Sequence, residues 1–238
     1  MSLIDLPFFI YHYMFIPLKD ENPTEKFSII TVSLIVINCL VFIYQALSPQ
    51  GLEYYVLKFG IIPYEIMHWS FEAGVPRVAW PLSLLTGMFL HGSLFHLGGN
   101  MLYLWIFGNN VEDVLGHFRY LLLYLISGLS ASLFHTVFSA NSQVPMIGAS
   151  GAIAGLLGAY LVLFPSARIK TLLFLFVYVS IIYIPAWIFL GLWFALQVAN
   201  VGLGGGVAWF AHVGGFLTGM ALMWQRLRKG LNINNYYS

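Results

Sequence analysis

The sequence predicts an all-α polytopic membrane protein, a bundle of six transmembrane helices forming one domain. Three observations point there. Hydrophobic residues make up 60% of the chain and charged residues only 8%, against about 25% charged in an ordinary soluble domain. The mean hydropathy is +0.83. Apolar runs of the length that crosses a bilayer as a helix, about 20 residues, recur along the 238 residues, which leave room for six or seven spans and short connections. The net charge of +1 gives no reason to expect a nucleic acid or an acidic partner. Cys39, the single cysteine, lies in an apolar run, so no disulfide within one chain and no cysteine-based metal site is expected. Nothing in the composition asks for a cofactor.

The elements follow in order. Residues 1–26 are an N-terminal cytoplasmic or interfacial segment; Met1 to Phe15 has neither the basic start nor the small-residue cleavage site of a signal peptide, and Ile16 to Lys26 is polar. Phe27 to Leu47 is uncharged and forms span one. Ser48 to Pro81 carries four prolines, Trp69 and Trp80 with few charges, which suits a segment lying partly in the membrane interface. Span two occupies Leu82 to Gly108, its helix starting near Leu94, with His91, His96 and Asn100 in or before its first turns. A short charged loop, Asn109 to Phe118, leads to span three, Arg119 to Phe138. Span four starts at the glycine motif of Met146 to Gly155 and is short, ending near Phe164-Pro165. A basic turn, Ser166 to Lys170, opens a long apolar segment to about Val198 that should be kinked or broken at Pro185. After Gly202-Leu-Gly-Gly-Gly206, span six runs from Val207 to Trp224. The helical domain is thus expected over 27–226, with a cytoplasmic tail over 227–238.

Six spans alternate sides, so the basic residues can be counted by side. Lys19, Lys26, Arg119, Arg168, Lys170, Arg226, Arg228 and Lys229 fall on the side of the two termini, and only Lys58 and Arg77 on the other. The positive-inside rule puts both termini in the cytoplasm. Ser150 and the polar ends of spans two and six, at His96 and His212, then meet near the outer face of a cell (inner) membrane.

The stretch Met146-Ile-Gly-Ala-Ser-Gly-Ala-Ile-Ala-Gly155 sets one hydroxyl, Ser150, among small residues at a helix start. Two roles are open to it there: capping the helix through its oxygen, or nucleophilic attack. Ser150 stands fifteen residues from Pro165 and His212 fourteen from Arg226, roughly 22 and 21 Å of helix rise, so the two can sit level. Ser150, Ala154 and Gly158 share a face with Gly151 and Gly155 beside it, while His212 lies over Gly215 and Gly219. Small faces let membrane helices pack with their backbones close. A buried histidine is costly there and marks function by default, although a core histidine tied to a carbonyl has the same look. The chain has no Asp or Glu after Asp113. If Ser150 is activated, His212 is therefore the base, and no carboxylate in these two helices completes a triad. His96 and Asn100, spaced i, i+4, share a helix face. Both can donate to a developing oxyanion, as can the backbone N–H of Ser150.

These residues together resemble a known family. His91-Gly-Ser-Leu-Phe-His96-Leu-Gly-Gly-Asn100, Gly148-Ala-Ser-Gly151 and Ala211-His212-Val-Gly-Gly-Phe-Leu-Thr-Gly219 are similar to the motifs of the rhomboid intramembrane serine proteases. So are Trp105-Ile-Phe-Gly-Asn-Asn-Val-Glu-Asp113 and Pro185-Ala-Trp187, and the likeness covers about Ile16 to Arg226. The resemblance implies Ser150 as nucleophile, His212 as general base, and His96, Asn100 and the Ser150 amide as oxyanion hole, without metal or cofactor. It implies His91 as a support that steadies the first loop, with Gly148, Gly151, Gly215 and Gly219 as supporting small residues, and Glu112 with Arg119 as a cytoplasmic structural pair. It implies single-pass transmembrane proteins as substrates, cut near the outer interface, after a small residue, in a lipid bilayer. One departure stands out: some rhomboids stack an aromatic, four residues after the nucleophile, on the catalytic histidine, and this chain has Ala154 there. Phe210, Tyr160 or packing alone would then orient His212.

Other functions fit less well. A rhomboid-like protein without catalysis would have lost Ser150 or His212. A channel would line a path with polar groups, and here they cluster at one face. A zinc site from His91, His96 and His212 lacks an H-E-x-x-H motif and an acidic ligand. Pro185 and the glycine run before span six fit a movable wall beside the site, or equally a static kink and a tight loop.

Overall fold

The computed structural model describes residues 15–70, 77–175, 178–201 and 206–230. Residues 1–14, most of the glycine run (202–205) and residues 231–238 of the tail lie outside the described residues. The chain is predominantly helical, with β1 (Phe15–Asp20), α1 (Ile29–Leu47), α2 (Gly51–Phe59), α3 (Pro63–His68), α4 (Trp80–Thr86), α5 (Leu94–Leu115), α6 (His117–Phe138) and α7 (Ser150–Leu163) in order. Then come β2 (Arg168–Leu175), β3 (Tyr178–Pro185), α8 (Ala186–Ala199) and α9 (Trp209–Arg228). By length and composition α1 and α6 are each able to cross a membrane, with hydropathies of 2.2 and 1.7, while α7 and α8 are apolar but have only 14 residues each.

Apolar and polar faces are inverted relative to a soluble protein. On α1 the buried residues are Thr31, Leu34, Asn38 and Gln45, whereas Val36, Ile37, Leu40, Ile43 and Leu47 are exposed. Three polar side chains spaced by seven form the inner stripe, and the apolar ones face outward. Leu122, Ile126, Leu133 and Val137 on α6, and Trp187, Ile188, Leu192 and Val198 on α8, continue the exposed apolar belt. In water a patch of that size is a liability; against lipid tails it is the ordinary surface. The core lies around α7, whose residues from Gly151 to Tyr160 are all buried.

Two expectations need correction. The apolar segment after Lys170 is no helix before Pro185: Arg168–Leu175 and Tyr178–Pro185 form an antiparallel hairpin, and β1 adds to β2 to give a three-stranded sheet in the order β1-β2-β3. The all-α expectation fails at this sheet. The reason is local. Ile169, Thr171, Val179, Ile181, Ile182 and Ile184 are β-branched and favour extended backbone, and Pro185 stops any helix from running through. Pro185 instead stands at the N-cap of α8, at φ −56°. The second correction concerns Asn109 to Phe118, expected as a loop. Helix α5 continues to Leu115, and the reversal is made at Gly116, whose φ of +74° favours glycine. The acidic groups of this stretch are buried: Glu112 accepts from the N–H groups of Ile30 (2.9 Å) and Thr31 (2.8 Å) at the start of α1 and from the Thr31 hydroxyl at 2.7 Å. A carboxylate at a helix N-terminus satisfies orphan donors and complements the dipole. Asp113 accepts from the N–H groups of Glu25 and Lys26, in the segment before α1.

Candidate active site

Ser150 is the first residue of α7, and Ala149 occupies the N-cap with no side-chain hydrogen bond to the helix. Ser150 therefore stands one position inside the helix and not at its N-cap. The approach to Ser150 is fixed from the first loop. Ile61 and Met146 pair as an antiparallel bridge through bonds of 3.0 and 2.7 Å, and the Gly148 N–H donates to the Gly87 carbonyl at 2.9 Å. Gly148 has φ +112°, and a Cβ there would stand 2.7 Å from His96 Nε2 and 3.5 Å from Asn100 Nδ2. Only glycine fits. The same distances show that both nitrogens stand against the backbone two residues before Ser150.

The approach of His212 follows from the crossing of α7 and α9. A Cβ on Gly215 would lie 2.0 Å from the Gly151 carbonyl oxygen, and one on Gly219 would lie 1.8 Å from that of Gly155. The backbones touch, as the small-residue faces predict. Ser150 precedes Gly151, and His212 lies three residues, about one turn, before Gly215. Both border one open cavity of about 1120 Å³, together with His96 and Asn100. The cavity continues between α5 and α8, past Tyr103 and Trp193, to Ile16 and Pro17 of β1.

The orientation of His212 comes from a residue that sequence reasoning passed over. Its Nδ1 lies 2.7 Å from Oε1 of Gln197 on α8. The rings of Trp193 and Trp209 flank it, with centroids at 5.8 and 6.2 Å. Neither Phe210 nor Tyr160 takes that part. Phe210 stacks on Phe138, and the Tyr160 hydroxyl donates to Asp20 at 2.8 Å among the β1 contacts. The missed signal was a lone amide inside an apolar helix, which in a membrane marks function or a polar partner.

The first-loop histidine has a definite place. His91 is fully buried; its backbone N–H donates to Gln45 Oε1 at 3.2 Å, its Nε2 lies 2.9 Å from Asn100 Nδ2, and its ring meets that of His96 edge-on at 5.0 Å. Ser93 caps α5, its hydroxyl oxygen accepting from the His96 N–H at 3.1 Å. Glu112 pairs with His117 at 2.6 Å and with the start of α1, not with Arg119 as expected. Glu112 and Arg119 lie on opposite sides of Gly116, and the imidazole at the first position of α6 takes the place beside the carboxylate.

Comparison with known proteins gives the family. The rhomboid domain model matches residues 79–229. Over 203 residues the chain is 31% identical to Rhomboid protein 1, mitochondrial, of Saccharomyces cerevisiae, covering 77% of this chain and 55% of that one. It is 36% identical over 146 residues to RHOMBOID-like protein 6, mitochondrial, of Arabidopsis thaliana, covering 58% and 41%. It is 38% identical over 136 residues to Rhomboid protease GluP of Bacillus subtilis, covering 57% and 24%. The chain thus spans between a quarter and just over half of the length of these relatives. A family match over more than half of the sequence and an apolar belt around a buried polar interior lead to one conclusion: the chain belongs to the membrane-embedded rhomboid family.

Proposed function

We propose that this protein is an intramembrane serine endopeptidase working through a Ser150–His212 dyad. The observation that carries the reading is that Ser150, His212, His96 and Asn100 border one cavity, at a helix crossing closed to backbone contact. In the proposed reaction Ser150 Oγ attacks the scissile carbonyl carbon while its proton passes to the His212 imidazole. The carbonyl oxygen becomes an oxyanion and takes hydrogen bonds from the Ser150 N–H, His96 and Asn100. Asn100 Nδ2 carries two hydrogens; one is directed at His91 Nε2, which leaves the second to the oxyanion. The amine leaves with the proton from His212, and water, deprotonated by the same imidazole, hydrolyses the acyl-enzyme. No cofactor enters these steps.

The substrates of this reading are single-pass transmembrane proteins, cut near the outer interface after a small residue. The cavity's extension between α5 and α8 favours entry from the lipid, with α8 as the wall that yields. Gly98 and Gly99 line it on α5 and have open space where a side chain would stand. In this reading helices α1, α5, α6, α7, α8 and α9 are the six spans, and the distribution of basic residues supports both termini on the cytoplasmic side of a cell membrane. The test is incubation of purified protein with a single-span substrate, wild type against Ser150→Ala, alongside labelling by a fluorophosphonate. Cleavage by the wild type only, with labelling of Ser150 that needs His212, is expected. Equal turnover by Ser150→Ala would end the protease reading.

A further inference from the structure

We infer that Gln197 is the positioning residue of the general base, taking the part that a carboxylate takes in a triad; this rests on the proposed Ser150–His212 dyad. Gln197 is 1% exposed and belongs to α8, not to either helix that carries the dyad. Its Nε2 donates to the carbonyl of Trp193, one turn back on the same helix, at 3.1 Å. That bond decides which way the amide faces, because a flipped amide would set Oε1 against the Trp193 carbonyl, oxygen against oxygen. With Oε1 turned to His212 at 2.7 Å, Nδ1 must be the nitrogen that carries hydrogen. The neutral imidazole is then held in the tautomer that keeps its lone pair on Nε2, the form a base for Ser150 requires.

The surroundings make Gln197 hard to replace. It is the one fully buried residue in the second half of α8; Ala186, Phe189 and Leu190, the others, all lie in the first half. Trp193 and Phe194 stack on Phe216 of α9 and fix the helix beside it, at centroid distances of 6.0 and 4.5 Å. The alignment of the base therefore depends on a helix that also forms the wall of the cavity.

Three variants test this: Gln197→Leu removes the acceptor, Gln197→Met removes it with a flexible side chain, and Gln197→Glu keeps an oxygen for Nδ1. We expect the leucine and methionine variants to lose about ten- to a hundred-fold in kcat and in the rate of fluorophosphonate labelling, a loss smaller than deletion of the base itself. KM for a single-span substrate should stay within about twofold and thermal unfolding close to wild type. Gln197→Glu should regain most of the labelling rate. Wild-type labelling by Gln197→Leu or Gln197→Met overturns the inference while leaving the dyad intact. So does an equal loss in all three variants accompanied by a lower unfolding temperature, which makes the residue structural. Failure of the dyad itself is seen separately, as no labelling of wild type or undiminished labelling of His212→Ala.

Discussion

The two ends of the bundle use the same ingredients, polar side chains buried inside an apolar protein, in opposite ways. Around Glu112 the carboxylate oxygens accept from two backbone N–H groups, the Thr31 hydroxyl and His117. The single hydrogen of the Thr31 hydroxyl goes to Glu112, so the Tyr120 hydroxyl, 2.9 Å from Thr31 Oγ1, donates to it and the cluster closes on itself. Around Ser150 the groups are anchored from behind and turned towards a cavity. His91 holds Asn100, Gln197 holds His212, and Gly87 holds the loop before Ser150. A closed network stabilises; in the proposed reaction the anchored but open one would meet the transition state without reorganising.

Removing one residue from each end gives the largest contrast. Ser150→Ala and His212→Ala should each abolish proteolysis while leaving the unfolding temperature nearly unchanged, and the double variant should be no worse than either single one. Glu112→Ala should behave in reverse. It strands several buried donors at once, at a cost of about 3 kcal/mol or more, while folded protein keeps its kcat. Turnover assays and thermal unfolding in detergent, run on all four variants, decide whether the two ends are separable.

Next in size are the proposed oxyanion donors. His96→Ala and Asn100→Ala should lower kcat by roughly ten- to a thousand-fold with little change in KM, because a donor aimed at developing charge acts mainly in the transition state. Gly148→Ala should act in the same direction, since its methyl would stand 2.7 Å from His96 Nε2 on a backbone at φ +112°. An effect confined to KM would move these residues from transition-state stabilisation to substrate contact.

A smaller effect is expected from the wall. In a Cys39-free background, a disulfide joining the outer end of α8 to α5 should reduce cleavage of a membrane substrate several-fold until it is reduced, and impair a small soluble ester much less. Unchanged cleavage with the lock closed would show that this wall is not the entrance.

Much of this was legible from the sequence where one residue type answered one physical need. Helices α6 and α7 begin and end within a few residues of their apolar runs, and the glycine faces of α7 and α9 predicted a contact that only glycine permits. Ser150, His96, Asn100 and His212 stood out because polar groups are expensive in a membrane. The sheet was not legible. Most of its hairpin, from Thr171 through Ile184, is apolar, and short apolar runs do not distinguish strand from helix; only Pro185 marked the break. Gln197 was hidden for a different reason. Its partner lies fifteen residues away on another helix, and a pairing between helices leaves no periodic trace.

Asp20 carries the smallest expected effect, and it separates the two ends by pH. This carboxylate, 3% exposed at the end of β1, accepts from Asn110 Nδ2 at 2.5 Å and from the Tyr160 hydroxyl. Burial raises its pKa from 3.8 to about 6, outweighing the lowering by the Tyr160 hydrogen bond and the Lys19 charge. Between those two values the folded chain binds more protons than the unfolded one, so this group's contribution to stability falls as pH rises through the window. Below it both states are protonated, and above it the cost of the buried charge is fully present, at most about 3 kcal/mol. Asp20→Asn keeps an oxygen for both donors and removes the charge. It should therefore flatten the fall in unfolding temperature between pH 4 and 6 and raise that temperature by a few degrees at pH 7. Because Asp20 lies among the β1 contacts and not beside Ser150, the rate of serine labelling at pH 7 should stay as in the wild type. A variant that unfolds at the wild-type temperature across this range would show that the Asp20 carboxylate carries no such cost, and a changed labelling rate would show that the two ends are coupled.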